Sequence, residues 1–279
     1  MKHNYRIVAL VMLVFVVVSF VTNLMDPMGT DLQASFHLNE AQLGYLSFAM
    51  FIAYAVMSLP AGLLVERFSA KAVLIAAFLL ATLGALAIAV HPTFATVLPA
   101  FFFMGVGFAM LQVVTIPLLR VAAGGEHMAF LGNMSQLIFA LGSAVSPYAY
   151  VYLVNGLKRP AGSRSVFFNA LSQIAPPGLL WVSLYWVITV ILLVTVLTIA
   201  IMRWPRLELT EDEKIGSASV VLGLLKRKTV WLYLIGVICY VGTEQGVATK
   251  IKGFLVNCHQ VDPDLADKVA VSGFWGAMA

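Results

Sequence analysis

Charged residues are scarce in this chain. Asp, Glu, Lys and Arg make up 11% of its 279 residues, whereas hydrophobic residues make up 61%. A soluble domain of this length has to cover its exterior with polar and charged side chains, so the composition excludes one. Most of the chain is therefore predicted to lie in a membrane. The net charge of +4 is explained by cationic helix flanks, and we expect no nucleic-acid partner.

Cysteines and catalytic motifs are also lacking. Cys239 and Cys258 are too few for a disulfide framework, and Cys239 falls inside a predicted span. The sequence contains no Gly-x-Ser-x-Gly, no His-Glu-x-x-His, no cysteine pair at metal spacing and no phosphate loop. The histidines fall at span ends or in loops: His3, His37, His91, His127 and His259. We expect no enzyme, no cofactor and no metal site.

Long apolar runs are abundant instead. A membrane-spanning helix needs about 20 largely apolar residues, and seven segments meet that requirement. They are 6–30, 42–65, 72–91, 94–119, 128–154, 179–202 and 229–257. An eighth run begins near Ala270 and reaches Ala279 without the length to cross, so we interpret the sequence as part of a longer chain with more spans.

These segments predict an all-α membrane protein in three parts. Residues 1–203 form a six-helix N-terminal bundle, residues 204–228 a cytoplasmic linker, and residues 229–279 the start of a second bundle. In the linker, Thr210–Glu213 fits a capping box before a short helix on the membrane surface. This is the layout of one half of a two-bundle transporter, although a channel or a signalling receptor has similar hydropathy.

The Lys and Arg distribution predicts the orientation. With the N-terminus inside, cytoplasmic segments hold eleven of these residues and the opposite face holds six. Because basic residues are enriched on the cytoplasmic side, we expect a multi-pass protein of the inner or plasma membrane with a cytoplasmic N-terminus. The basic cluster from Lys158 to Arg164 opposes the rule locally.

Polar side chains in the first span recur at spacings of three and four, which places them on one helix face. They are Ser19, Thr22, Asn23 and Asp26. Asp26 is costly at that depth and is a candidate proton carrier or solute acceptor, with Pro27 expected to kink the helix beside it. The alternative is that Asp26 lies solvated at the outer mouth and only ends the helix.

Amide side chains mark two further spans. Gln112 shares a face with Thr115, and Asn133 and Gln136 begin a polar stripe in the fifth span. Carboxamides donate and accept hydrogen bonds and suit solute hydroxyl groups. Hydrogen bonds between helices remain the alternative for each. The nearby Gly105-Val-Gly107 is predicted to be a helix-packing surface.

The seventh span carries Tyr240 and Glu244. Glu244 is the second candidate for an intramembrane carboxylate. Its alternative role is to pair with Lys250 or Lys252 near the outer end of the same span. The two roles are left open by the sequence.

A charged reversal joins the second and third spans: Gly62-Leu-Leu-Val-Glu66-Arg67-Phe-Ser-Ala-Lys71. Gly62 permits close approach of helix ends, and Glu66, Arg67 and Lys71 can form an ion-paired conformational latch against neighbouring helix ends. The segment resembles the loop between helices two and three of major facilitator superfamily transporters, which usually have Asp where Glu66 stands.

Four stretches resemble one branch of that superfamily, the fucose and glucose/galactose:proton symporters. They are Thr22-Asn-Leu-Met-Asp26, the segment Phe130–Gly142, Tyr240-Val-Gly-Thr-Glu244 and Phe274-Trp-Gly. The resemblance implies a twelve-helix fold, of which this chain covers the first six helices, the seventh and the start of the eighth. It also implies that Asp26 is the proton-linked carboxylate and that Asn133 and Gln136 bind sugar hydroxyls. Asn23, Gln112 and Tyr240 are further candidate substrate-binding residues.

The chain departs from the fucose permease at two positions, where Gln112 replaces a glutamate and Phe139 an asparagine. Since an amide does not titrate, a proton cycle has to rest on Asp26 or Glu244. The resemblance implies a proton-coupled secondary transporter of a small solute, with sugar favoured, that requires membrane lipid and a C-terminal bundle. An exporter of drugs or metabolites, or a non-transporting sensor or assembly protein, are the alternatives.

Overall fold

The computed structural model describes residues 5–124, 127–176, 178–202, 204, 223–224 and 226–278. Nine helices in these ranges precede the last segment: α1 Tyr5–Thr22, α2 Met25–Phe36, α3 Glu40–Arg67, α4 Ala70–Val90, α5 Phe94–Ala123, α6 Met128–Lys158, α7 Val166–Ile174, α8 Val182–Ile201 and α9 Lys228–His259. The last helix, α10, covers 263–278: it is α-helical at Pro263–Leu265, forms a π turn over Ala266–Val271 and is α-helical again at Ser272–Met278.

Seven helical stretches in the described residues are long and apolar enough to cross a membrane, which confirms the seven predicted spans and the all-α class. They are Ile7–Phe36, Glu40–Arg67, Ala70–Val90, Phe94–Ala122, Met128–Lys158, Val182–Ile201 and Lys228–His259. The predicted linker helix, with its capping box at Thr210–Glu213, lies outside the described residues.

The first span is broken at Asn23–Leu24, between α1 and α2, and not at Pro27 where the sequence predicted a kink. Pro27 has no N–H to donate to the carbonyl four residues earlier, which is that of Asn23. Ser146 of α6 donates its hydroxyl to this carbonyl instead (3.2 Å). The freed backbone group is thus satisfied by a neighbouring helix, as a membrane interior requires.

The segment after α6 is more ordered than the sequence predicted, because the 155–178 loop contains the end of α6 and the whole of α7. With nine residues, α7 is too short to cross a membrane. Its buried side chains, Phe168 and Leu171, lie three residues apart on one face. The ring of Phe168 packs directly on Gly156 of α6, where any side chain would overlap it.

The core of the first bundle is formed by packing of α3 and α4 on α5, of α4 on α8, and of α1 on α6. Gly105 and Gly107 face two different neighbours. A Cβ on Gly105 would overlap the carbonyl of Met50 in α3, and one on Gly107 would lie 2.5 Å from the carbonyl of Ala77 in α4. The prediction that these glycines pack helices is confirmed, since both contacts need a bare backbone.

Helix α9 touches the first bundle through its second half. No residue from Lys228 to Val247 is buried, whereas Ala248 and Lys252 are. The contacts of α9 are with α2 and α10, and α10 in turn packs on α6. The space between α9 and the first bundle therefore narrows toward Lys252 and widens toward Lys228.

Candidate functional site

Two cavities lie between α9 and the first bundle. The polar cavity has a volume of about 490 Å³ and is lined by Asn133, Gln136, Leu137, Phe139, Ala140, Tyr240, Glu244, Trp275 and Met278. Four residues singled out in the sequence, two from α6 and two from α9, therefore face one space: Asn133, Gln136, Tyr240 and Glu244. Together with the indole of Trp275, they offer hydrogen-bond donors, acceptors and aromatic surface to a small polar ligand.

The apolar cavity is larger, at about 870 Å³, and lies among α3, α5 and α9. It is lined mainly by aromatic and aliphatic side chains such as Phe48, Phe51 and Val241. Gln112 also lines it, so Gln112 faces a different space from Asn133 and Gln136. Thr115, predicted on the same face as Gln112, is buried and donates its hydroxyl to its own helix at Leu111 O (2.9 Å).

Asn23 braces the break between α1 and α2. Its side-chain amide donates to Ser19 O and to Ser143 Oγ of α6, both at 2.8 Å. Asn23 is 2% exposed and contributes to the wall of the apolar cavity. Its amide nitrogen is therefore committed to bonds that fix α1 against α6, a function that the sequence did not indicate.

Asp26 is buried, with 5% of its surface exposed, where α2, α9 and α10 meet. Its Oδ2 accepts from Nε1 of Trp275 (3.2 Å) and its Oδ1 lies 3.3 Å from the hydroxyl of Thr249. The alternative of a solvated residue at the outer mouth is therefore wrong. Trp275 and Thr249 were not predicted as site residues, because their relation to Asp26 arises only when α9 and α10 pack on α2.

Glu244 lies one helical turn from Tyr240 on α9, and both side chains line the polar cavity. Neither nearby lysine is directed to Glu244. Lys250 pairs with Glu40 of α3, and Lys252 pairs with Asp267 of α10. The alternative in which Glu244 is neutralised by a lysine of its own helix is thus not the arrangement that forms.

A buried ion pair that the sequence did not predict closes the narrow end of this space. Lys252 Nζ donates to Asp267 Oδ2 (2.7 Å) and to the carbonyl of Pro27 (2.5 Å). We call the set Pro27, Lys252 and Asp267 the closed end. One signal was available in the sequence, since Lys252 lies inside a predicted span, where a charge is costly.

The charged reversal lies at the α3–α4 turn, with Gly62 buried and with Glu66 and Arg67 exposed. Lys71 donates to two carbonyls at the end of α8, those of Ala200 (2.6 Å) and Met202 (3.1 Å). A cation at a helix C-terminus interacts favourably with the helix dipole. Lys71 therefore binds the end of a neighbouring helix, as the latch hypothesis requires. The latch function itself stays a prediction.

Comparison with known sequences gives relatives of one kind. The glucose/galactose transporter of Brucella abortus biovar 1 (strain 9-941) is 28% identical over 274 residues, covering 95% of this chain and 62% of the relative. The L-fucose-proton symporter of Escherichia coli (strain K12) is 26% identical over 252 residues, covering 85% and 56%. The chain thus spans about three-fifths of the length of these relatives. Both are named as transporters and not as enzymes, in agreement with the expectation from the sequence.

Solved structures show the same fold. A bacterial homolog to the human lysosomal transporter Spinster, in an inward-facing and unoccupied conformation, matches with a TM-score of 0.77 at 14% identity, over 98% of this chain and 60% of that one. The Escherichia coli fucose:proton symporter FucP matches with a TM-score of 0.64 at 22% identity, over 90% and 62%. The predicted fold, a six-helix bundle followed by helix 7 and the start of helix 8, is confirmed.

Residues 11–256 match the family model of the Major Facilitator Superfamily. That match covers most of the chain and includes the charged reversal, Asp26 and both amide residues of α6. The resemblance predicted from the sequence is therefore confirmed, and this multi-pass membrane protein belongs to the major facilitator superfamily.

Proposed function

We propose that this chain is part of a secondary transporter that moves a small sugar together with a proton across the cytoplasmic membrane by alternating access. The observation that carries the proposal is the polar cavity, which adjoins a carboxylate buried at 5% exposure. The names of the relatives, a glucose/galactose transporter and an L-fucose-proton symporter, support the same solute class and the same coupling.

A sugar suits the polar cavity for chemical reasons. Asn133 and Gln136 each supply an amide that donates and accepts, which is what hydroxyl groups need. Tyr240 and Trp275 add aromatic surface for the apolar face of a sugar ring. The volume of about 490 Å³ falls within the range of about 300–1,000 Å³ typical of small-molecule sites.

Asp26 is the proposed proton carrier. A carboxylate inside a membrane span is costly and is a functional candidate by default. The two described side chains that hydrogen-bond to it, Thr249 and Trp275, are both neutral. Glu244 in the polar cavity is the second candidate, whereas Gln112 does not titrate and takes no part in a proton cycle.

The proposed transport cycle uses the wedge shape of the space beside α9. Alternating access in this class of fold is rocking of one bundle against the other about a central site. The closed end blocks one side, and we propose that the latch formed by Gly62, Glu66, Arg67 and Lys71 acts at the opposite, cytoplasmic side. The Lys and Arg distribution supports a cytoplasmic N-terminus.

The test uses the full-length gene product in proteoliposomes with an imposed pH gradient and radiolabelled D-galactose, D-glucose or L-fucose. Wild type is expected to accumulate at least one of these sugars. Asp26→Asn keeps the shape and removes the titration, so it is expected to lose uphill accumulation and to retain counterflow. An Asp26→Asn protein that still concentrates sugar would overturn the role of Asp26.

The cavity is tested in the same assay by Asn133→Ala. Loss of one hydrogen bond to a sugar is expected to raise KM about tenfold, with little change in the maximal rate. Asn169→Ala, in α7 and outside both cavities, is the matched control and is expected to behave as wild type. Equal KM values for the two variants would place the sugar elsewhere.

A second candidate, export of a lipophilic compound, is favoured by one observation. The apolar cavity is larger than the polar one and its wall is mostly carbon. Ethidium efflux from cells that express the protein is the corresponding assay. Efflux that Phe51→Ala abolishes, together with no sugar uptake, would select this candidate.

A further inference from the structure

Asp26 is connected to both cavities although it lines neither of them, among the residues that the structure describes. Each of its two partners lines one cavity. Trp275, which donates to Oδ2, forms part of the wall of the polar cavity. Thr249, next to Oδ1, forms part of the wall of the apolar cavity. A solute in either space therefore reaches the carboxyl group through a partner and not directly.

The hydroxyl of Thr249 can respond to the charge of Asp26. It lies within hydrogen-bond distance of two acceptors, the carbonyl of Gln245 at 2.8 Å and Asp26 Oδ1 at 3.3 Å. Its one hydrogen can be donated to a charged Asp26. When Asp26 is protonated, the hydroxyl can donate to Gln245 and accept from the carboxyl group instead.

The indole of Trp275 behaves differently, because its N–H is a donor only. It can bond to Oδ2 whether Asp26 is charged or neutral, but a donated hydrogen bond stabilises the charged form more. If a solute hydroxyl in the polar cavity accepts the hydrogen bond from the indole N–H instead, the charged form of Asp26 loses this stabilisation. Occupancy of the cavity then favours the proton on Asp26.

We propose that Trp275 and Thr249 are positioning residues that couple occupancy of the cavities to protonation of Asp26. Binding of solute at Trp275 and binding of a proton at Asp26 favour each other, because coupling between two sites is reciprocal. A symporter needs positive coupling of this kind between solute and proton. The identity of the solute rests on the proposed function, whereas the link between Trp275 and Asp26 does not.

Other ionisable groups lie on α2 and on the helices packed against it, and their titration has to be separated from that of Asp26. On α9 they are Lys252 and Glu244, on α10 Asp267, on α6 Tyr150, and on α2 itself Asp31. Lys252 is engaged by Asp267 and Pro27, and Tyr150 donates to Asp31. Asp267 acts electrostatically on Asp26, so the control in any titration is the double variant Lys252→Met/Asp267→Leu, which removes Asp267 without leaving Lys252 as an unpaired buried charge.

The first experiment needs no solute. In the full-length gene product every tryptophan except Trp275 is replaced by phenylalanine, and the emission of Trp275 is measured against pH. We expect one titration, which Asp26→Asn abolishes and the double variant Lys252→Met/Asp267→Leu preserves. Emission that is independent of pH, or that titrates equally in Asp26→Asn, would overturn the link.

The second experiment measures coupling with D-galactose, D-glucose or L-fucose in proteoliposomes. Trp275→Phe keeps the ring and removes the N–H, and is expected to retain counterflow while its accumulation ratio falls about tenfold. Thr249→Val is expected to shift the pH profile of uptake, and Thr249→Ser to restore it.

Trp181→Phe is the matched control, since it also removes a buried indole bond, the 3.0 Å one to Ser35 of α2, but leaves Asp26 untouched. Equal accumulation by Trp275→Phe and Trp181→Phe would overturn the proposal. If wild type transports none of the three sugars, the proposed function fails, and the fluorescence titration still decides whether Trp275 reports the proton on Asp26.

Discussion

Lys250 and Lys252 lie two residues apart on α9 and both bind a carboxylate, but in opposite surroundings. Lys250 pairs with Glu40 on the surface, with side chains 52% and 66% exposed. Lys252 pairs with Asp267 inside the structure, with side chains 4% and 2% exposed. Two lysine–carboxylate salt bridges in the same half of one helix therefore differ greatly in how far their charges are removed from water, and so in the free energy that their loss is expected to cost.

The buried pair is also the less complete one. Lys252 finds additional partners in the Pro27 carbonyl and in the ring of Tyr150, whose centroid lies 5.8 Å from Nζ. Asp267 Oδ1, however, is buried with no hydrogen-bond partner. The closed end therefore combines these directed bonds with a small buried apolar cluster around Trp275.

The largest effect is expected from Lys252→Met, which leaves Asp267 as a buried charge without its counter-ion. Breaking a buried pair in this way costs about 3–5 kcal/mol, which corresponds to a rise in the open population of roughly 10²-fold to 5 × 10³-fold. The measurement is the rate at which maleimide reacts with an Ala266→Cys variant in the purified full-length protein, with all other cysteines replaced by serine. Ala266 is 1% exposed and adjoins Asp267, so reaction requires opening.

The control for this prediction is the double variant Lys252→Met/Asp267→Leu. Replacing both members of a buried pair by apolar residues of similar volume is often neutral or stabilising. The maleimide rate should therefore return to within about tenfold of the wild-type rate. A double variant that reacts as fast as Lys252→Met would show that the closed end does not depend on charge balance. An unchanged rate in the single variant would show that the Lys252–Asp267 pair does not hold the closed end shut.

The features that the sequence predicted are local, and those that it missed depend on contacts between distant residues. Spans are set by local hydropathy, so all seven were found from composition and length. Asn133, Gln136, Tyr240 and Glu244 were found because polar groups in apolar segments are conspicuous and their motifs resemble a known branch. Trp275 was missed because its bond to Asp26 joins residues that are 249 positions apart, and nothing local encodes it.

The break in the first span shows a subtler limit. Pro27 indicated a disturbed helix, but the donor that satisfies the freed carbonyl of Asn23 comes from Ser146 of α6, and the sequence does not show that contact. Similarly, the nine residues of α7 have no span-length signal and are ordered because Phe168 packs on Gly156. In both cases a contact with another helix supports a local structure that the sequence alone does not indicate.

An intermediate effect is expected from Lys71→Met, at the opposite end of the bundle. Lys71 donates to the carbonyls of Ala200 and Met202, the C-terminal end of α8. Losing a cation at a helix C-terminus costs about 0.3–1 kcal/mol, and loss of the two hydrogen bonds adds about 1 kcal/mol. A lowered melting temperature in detergent is the readout, with the Ala266→Cys reaction rate unchanged. A rise in the Ala266→Cys reaction rate as large as that of Lys252→Met would contradict the expected difference between buried and half-buried lysines.

The smallest effect is expected from Lys250→Met, the matched partner of Lys252→Met. An exposed ion pair contributes about 0–1 kcal/mol, because water solvates both charges when they separate and salt screens them. Glu40 also keeps a second donor, the amide of Gln33 at 2.7 Å, so it is not left without a partner. The maleimide rate of the Ala266→Cys variant should therefore change by less than about fivefold, and the small change should vanish at high salt. A rise comparable to that of Lys252→Met would mean that proximity to the first bundle, and not desolvation, decides how α9 is held.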